Sequence, residues 1–97
     1  MAVVEITTFR LADGVSEAAF LEADERVCTD FSYRQPGLLR ATTARGEGDE
    51  WIAIVLWRSG EDADAAAALA ETDSAATEFR GLVDRRSIDR RRYTTLD

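Results

Sequence analysis

Apolar residues alternate with polar ones at the start of the chain, and then the period changes. Residues 2–10 are rich in Val, Ile, Thr and Phe, as half-buried strands are, and Asp13-Gly14 closes that segment. Ser16 suits a helix N-cap and Glu17 suits the first turn. Phe20, Ala23, Val27 and Phe31 then recur at helical spacing, with Glu22 and Arg26 set for an i,i+4 pair on the outer side. This helix is expected to end near residue 31 or 32, before the turn Gln35-Pro36-Gly37. Two strands follow, Leu38–Arg45 and residues 51–58, joined by a hairpin at residues 46–49. Ser59 and Asp62 resemble a capping box that opens an Ala-rich helix over residues 61–71. A further helical stretch carries Ala76, Phe79, Leu82 and Val83 on one face, and residues 86–95 alternate well enough, though weakly, for a last strand.

The resulting order is β-α-β-β-α-β, an α+β fold of the ferredoxin-like kind with an antiparallel sheet. Its third strand carries the most information. Trp51, Ala53, Val55 and Trp57 point to one face; Ile52, Ile54 and Leu56 point to the other. With both helices on one side of the sheet, the second face should be polar, yet it is apolar. No spare element remains to cover it. A second copy of the chain, packed sheet against sheet about a two-fold axis, is the simplest cover.

Composition narrows the chemistry. The 97 residues fit one domain, 1–97, and 45% apolar with 32% charged residues describes a globular chain. Nineteen acidic against twelve basic residues give a net charge of −7, which argues against a nucleic-acid partner. All the basic residues are Arg; there is no His, Lys or Asn. A Ser-His-Asp nucleophile, a histidine metal site, a proximal-histidine haem and a Schiff-base lysine are therefore excluded. Cys28 is alone, so no internal disulfide forms, which fits a reducing, cytoplasmic setting. The longest apolar run, from Trp51 to Trp57, is far too short to span a membrane, and no signal peptide is visible.

Three segments in order carry a family resemblance that spans nearly the whole chain. They are Gln35-Pro36-Gly37-Leu38-Leu39 before the second strand, Trp57-Arg58-Ser59-Gly60-Glu61-Asp62 between strand and helix, and the helix end at residues 79–83. Together they resemble the antibiotic-biosynthesis-monooxygenase-like branch of the dimeric α+β barrel superfamily. The resemblance implies a homodimer, and in each subunit a pocket for an aromatic or polycyclic ligand between sheet and helices. It further implies one of two chemistries, oxygenation of phenolic or anthrone-like polyketides without a cofactor, or haem breakdown. Haem-degrading members use an Asn, a Trp and a His, of which only Trp57 has a counterpart here. The expectation is therefore a monooxygenase with no cofactor and no metal, acting on a small aromatic, polyketide-like or quinonoid metabolite. The alternative is a stress-related or metabolite-binding protein of the same fold without catalysis.

On that reading the candidate catalytic residues are Trp57, to stack on the ring system, Arg40, to stabilise the substrate anion, and Tyr33, to orient it. Candidate ligand contacts are Trp51, Phe20, Phe31 and Phe79. Structural alternatives stand beside them: a solvated strand arginine, a loop tyrosine and a core tryptophan. The alanine run from Ala65 to Ala68 suits close helix packing, or a cavity over the sheet. Glu61, Asp62 and Asp64 read as complements of a helix dipole rather than as a cation site. Residues 84–97 hold five arginines against three aspartates, which are expected to pair with acids of the acidic body. Cys28 reads as a small buried hydrophobe rather than a reactive thiol.

Overall fold

The computed structural model describes all the residues, Met1–Asp97. Four strands, β1 (Val3–Arg10), β2 (Leu38–Arg45), β3 (Glu50–Trp57) and β4 (Asp89–Thr94), form one antiparallel sheet in the order β2-β3-β1-β4. Three helices, α1 (Glu17–Asp30), α2 (Gly60–Ala70) and α3 (Ser74–Gly81), cover one side of it. The ferredoxin-like α+β expectation holds, with the second helical unit divided in two where Asp73 caps α3 through the Ala76 N–H at 2.9 Å. No helix is long and apolar enough to cross a membrane.

Local chemistry sets the element ends. Ser16 accepts the Ala19 N–H at 3.1 Å and starts α1. Ser59 accepts the Asp62 N–H at 3.2 Å and starts α2. The return half of a capping box is missing there: the Asp62 carboxylate instead accepts the Ser59 hydroxyl and the Arg58 guanidinium, both at 3.0 Å. Gly37 turns the chain into β2 with φ +84°, a conformation that favours glycine. The weakly patterned tail begins with a 3₁₀ turn at Arg85–Ser87, so β4 is shorter than its alternation suggests.

Arg26 does not pair along its own helix. Its Nε donates to Glu78 of α3 at 2.8 Å, tying the two helices together. Arg92 of β4 meets Glu5 and Asp64, as expected for the basic tail.

Two separate apolar clusters lie between sheet and helices. One joins Val3, Trp57, Ala63 and Ala66, so the small side chains of α2 sit directly over the end of β3. The other joins Phe9, Phe20, Trp51 and Val83 at the opposite end of the sheet. Trp51 and Trp57 thus share the helix-covered face and anchor its two ends. The other face, with Val4 and Ile6 of β1 beside Ile52, Ile54 and Leu56 of β3, has no helix on it.

Candidate functional site

Between the two apolar clusters the covered face changes character. The middle of β1 presents Glu5 and Thr7 there, opposite Val55 and Ala53 of β3, and β2 adds Ala41 and Thr43. These are small or polar side chains in a row, and none is fully buried although β1 and β3 are the central strands. Val55 packs against the Trp57 cluster and Ala53 against the Trp51 cluster, so the row is a partly buried belt that keeps some of its surface exposed.

Trp57 borders the belt. Its ring is packed to 6% exposure against Val3, Ala63 and Ala66, and its indole N–H donates to Glu5 Oε1 at 2.9 Å. Glu5 Oε2 accepts from Arg92 Nε at 3.3 Å and from its terminal nitrogen at 3.0 Å. The same arginine nitrogen lies 2.9 Å from Asp64 of α2. Side chains from β1, β3, β4 and α2 therefore meet around one carboxylate. Donating hydrogen bonds to Glu5 and Asp64 pushes the Arg92 guanidinium further up from its already high range.

At the far end Phe20, Trp51, Phe79 and Phe9 form an aromatic cluster. The Phe20 and Trp51 centroids are 4.7 Å apart, and those of Phe20 and Phe79 are 5.3 Å apart. Three of the four candidate ligand contacts thus come together, with Phe9 added. Phe20 has no exposed surface, so it forms core rather than wall. Phe31 closes the other end of α1 and stays apart from them. Trp51 also borders an open cleft of about 380 Å³, shared with residues 11–15, Glu17, Arg45, Gly48 and Asp49. Arg45 sits over the Trp51 ring at 5.1 Å and pairs with Glu17.

Trp57, Arg40 and Tyr33 do not converge. Arg40 stands opposite Leu56, which places it on the uncovered face, away from Trp57. Tyr33 lies in the 3₁₀ turn Ser32–Arg34 and is 61% exposed. In their place the structure sets Glu5 and Arg92 beside Trp57. The signal for Glu5 was a charged residue sharing strand parity with Val3 and Phe9, on the face meant for the core.

One further carboxylate is half-buried. Asp24 of α1 accepts the Thr43 hydroxyl at 2.9 Å, and burial pushes its carboxyl above the usual range. Cys28, one helical turn on, has its thiol pushed up to about 11, chiefly by burial and then by the negative charge of Asp24.

No protein-family model matches the sequence, and no curated protein sequence does. The fold nevertheless recurs in solved structures. SnoaB of Streptomyces nogalater, a cofactor-independent oxygenase, superposes with a TM-score of 0.80 at 23% identity over 99% of this chain and 94% of its own. A candidate antibiotic biosynthesis monooxygenase of Chloroflexus aurantiacus gives 0.76 at 17% identity, over 100% and 95% of the two chains. Rv0793 of Mycobacterium tuberculosis gives 0.73 at 16% identity, over 100% and 97%. The chain has the fold of antibiotic-biosynthesis-monooxygenase-like proteins, in agreement with the resemblance carried by its turn and strand–helix segments.

Proposed function

We propose that this chain is a homodimeric, cofactor-independent monooxygenase acting on a small aromatic, polyketide-like or quinonoid metabolite in the cytoplasm. The observation that carries the reading is Trp57, a tryptophan at the end of β3 on the covered face, beside a half-open belt, in a chain that shares its fold with SnoaB. A substrate of the anthrone type supplies all four electrons itself. Loss of an acidic proton gives an electron-rich anion, which reduces dioxygen. One oxygen atom then ends in a new ring carbonyl and the other leaves as water, so that a CH₂ group and O₂ become a C=O group and H₂O. The protein's part is to hold the ring flat, favour the anion and exclude water.

In this reading Trp57 supplies an aromatic wall, and its indole N–H stays with Glu5. Arg40 is set aside as a pocket residue, because its register turns it to the uncovered face, where a second subunit would meet it. Oxygen consumption with a panel of anthrones and hydroquinones tests the reading. Uptake in the wild type that falls, along with ligand affinity, in Trp57→Phe is the expected result; unchanged affinity would remove Trp57 from the site.

A second reading, metabolite binding without turnover, is favoured by the low exposure of Trp57 and by its already satisfied N–H. Thermal stabilisation by a panel compound without oxygen uptake would select it.

A further inference from the structure

We propose that Glu5 is the proton acceptor of the covered-face site, a role that rests on the oxygenase reading and deepens it. Among the side chains that the four strands send to the covered face, Glu5 is the sole carboxylate. It stands at the centre of β1, in register with Val55, with its side chain 19% exposed. An acid there loses much of its hydration, and the fold compensates by holding it from two sides, through the Trp57 indole and the Arg92 guanidinium. The arrangement does not saturate it. Oε1 accepts one hydrogen bond, from the indole, and a carboxylate oxygen has room for two.

Other groups that could take a proton are placed elsewhere or occupied. Asp64 is 71% exposed and lies on the outer side of Arg92. Asp24 of α1 also faces the belt, but at its edge: it is occupied by the hydroxyl of Thr43 on β2, which stands opposite Ala53 rather than beside Trp57. With no histidine and no lysine in the chain, Glu5 is the remaining base beside Trp57.

The ligand class follows from the neighbours: a flat ring carrying a phenolic or enolic O–H. The ring lies against the Trp57 end of the belt and the O–H points at Glu5 Oε1. In the step, the substrate O–H bond breaks, its proton becomes the Glu5 carboxyl proton, and the electron pair stays on the substrate oxygen. Arg92 faces the Glu5 carboxylate before the transfer and the substrate anion after it. The total charge beside the guanidinium is unchanged, so no new charge is created in a partly dry interior.

The test uses 1,8-dihydroxyanthrone under nitrogen, at a pH where the free compound is neutral; its anion absorbs at longer wavelength. Wild-type protein is expected to bind it and raise the anion band. In Glu5→Gln, the bound anion fraction should fall at least about tenfold, while affinity changes by no more than about twofold. An amide oxygen at position 5 still accepts the indole N–H, so unchanged tryptophan fluorescence separates a lost base from a lost fold. Glu5→Asp should restore part of the band. A wild-type protein that leaves the compound neutral, or a Glu5→Gln protein that ionises it equally, overturns the assignment. Admitting air then tests the oxygenase reading on its own: an anion that forms but consumes no oxygen keeps Glu5 as the acceptor and removes the oxygenase.

Discussion

Ile6 and Ile54 stand directly opposite each other on the two central strands, in the middle of the sheet face that no helix covers. Val4 with Leu56 and Thr8 with Ile52 flank them in register, and Ile54 is 37% exposed. An antiparallel sheet with helices on one side normally turns polar side chains to water on the other. In the proposed homodimer a second copy of the chain would bury this patch. Sedimentation at micromolar concentration should therefore give twice the subunit mass of 10.7 kDa. Ile54→Lys should give the single-subunit mass with its circular dichroism intact, since Ile54 belongs to neither apolar cluster of the subunit. A wild type that sediments as one subunit would remove the dimer.

Most of the fold was legible because its signals are local. Period-2 alternation, the Ser16 and Ser59 caps and the Pro36-Gly37 turn each act over a few residues, and the sheet faces follow from strand parity. The site was less legible, for a reason visible at Arg40. Strict alternation from Leu38 puts Arg40 on the covered face beside Trp57. The register is irregular between Leu38 and Arg40, so Arg40 pairs with Leu56 and turns to the opposite face. Nothing local in the sequence marks that extra residue. The Arg26–Glu78 pair was hidden for a similar reason: i,i+4 spacing favours Glu22, and only the packing of α1 on α3 brings Glu78 within reach. Glu5 was readable as an acid of core parity, but its partner Arg92 comes from the far end of the chain.

Gly37 should tolerate no side chain. Its φ of +84° lies in the left-handed region, and a Cβ there would stand 2.6 Å from Asp62 Cβ and closer still to its carboxyl group. Gly37→Ala then bears a backbone cost of about 1–2 kcal/mol. Pushing Asp62 away from Ser59 adds about 1 kcal/mol from the α2 start. Urea denaturation should show a loss of about 2–3 kcal/mol with an unchanged m value. A loss below 0.5 kcal/mol, within the scatter of ordinary surface substitutions, would mean that the turn relaxes freely.

Asp24 makes stability depend on pH in the direction opposite to that of a salt-bridged acid. Burial outweighs the Thr43 hydrogen bond and raises its carboxyl in the folded state. The native protein thus holds that proton more tightly than the unfolded chain, and ionisation of Asp24 at neutral pH opposes folding. Asp24→Asn keeps an oxygen for the Thr43 hydroxyl and removes the charge. Its melting temperature should exceed that of the wild type by a few degrees at neutral pH. The gap should close as pH falls below the carboxylate range, where Asp24 is protonated in both states. A gap that persists in acid would assign the effect to packing rather than charge.

Cys28 should be nearly inert in the folded protein despite being only partly buried. With the thiol pushed up to about 11, only about one molecule in a thousand carries the reactive thiolate at pH 8. An unfolded chain, with a cysteine near its ordinary value of about 8.5, ionises a sizeable fraction at that pH. Iodoacetamide should therefore label native protein about a hundredfold more slowly than urea-unfolded protein. Asp24→Asn should narrow that ratio, because the Asp24 charge is the second cause of the shift. The same raised thiol means that native stability falls as pH rises from about 8.5 through about 11, since the folded state retains a proton that the unfolded state releases. Native labelling at the unfolded rate would show that the thiol is neither desolvated nor under the influence of Asp24.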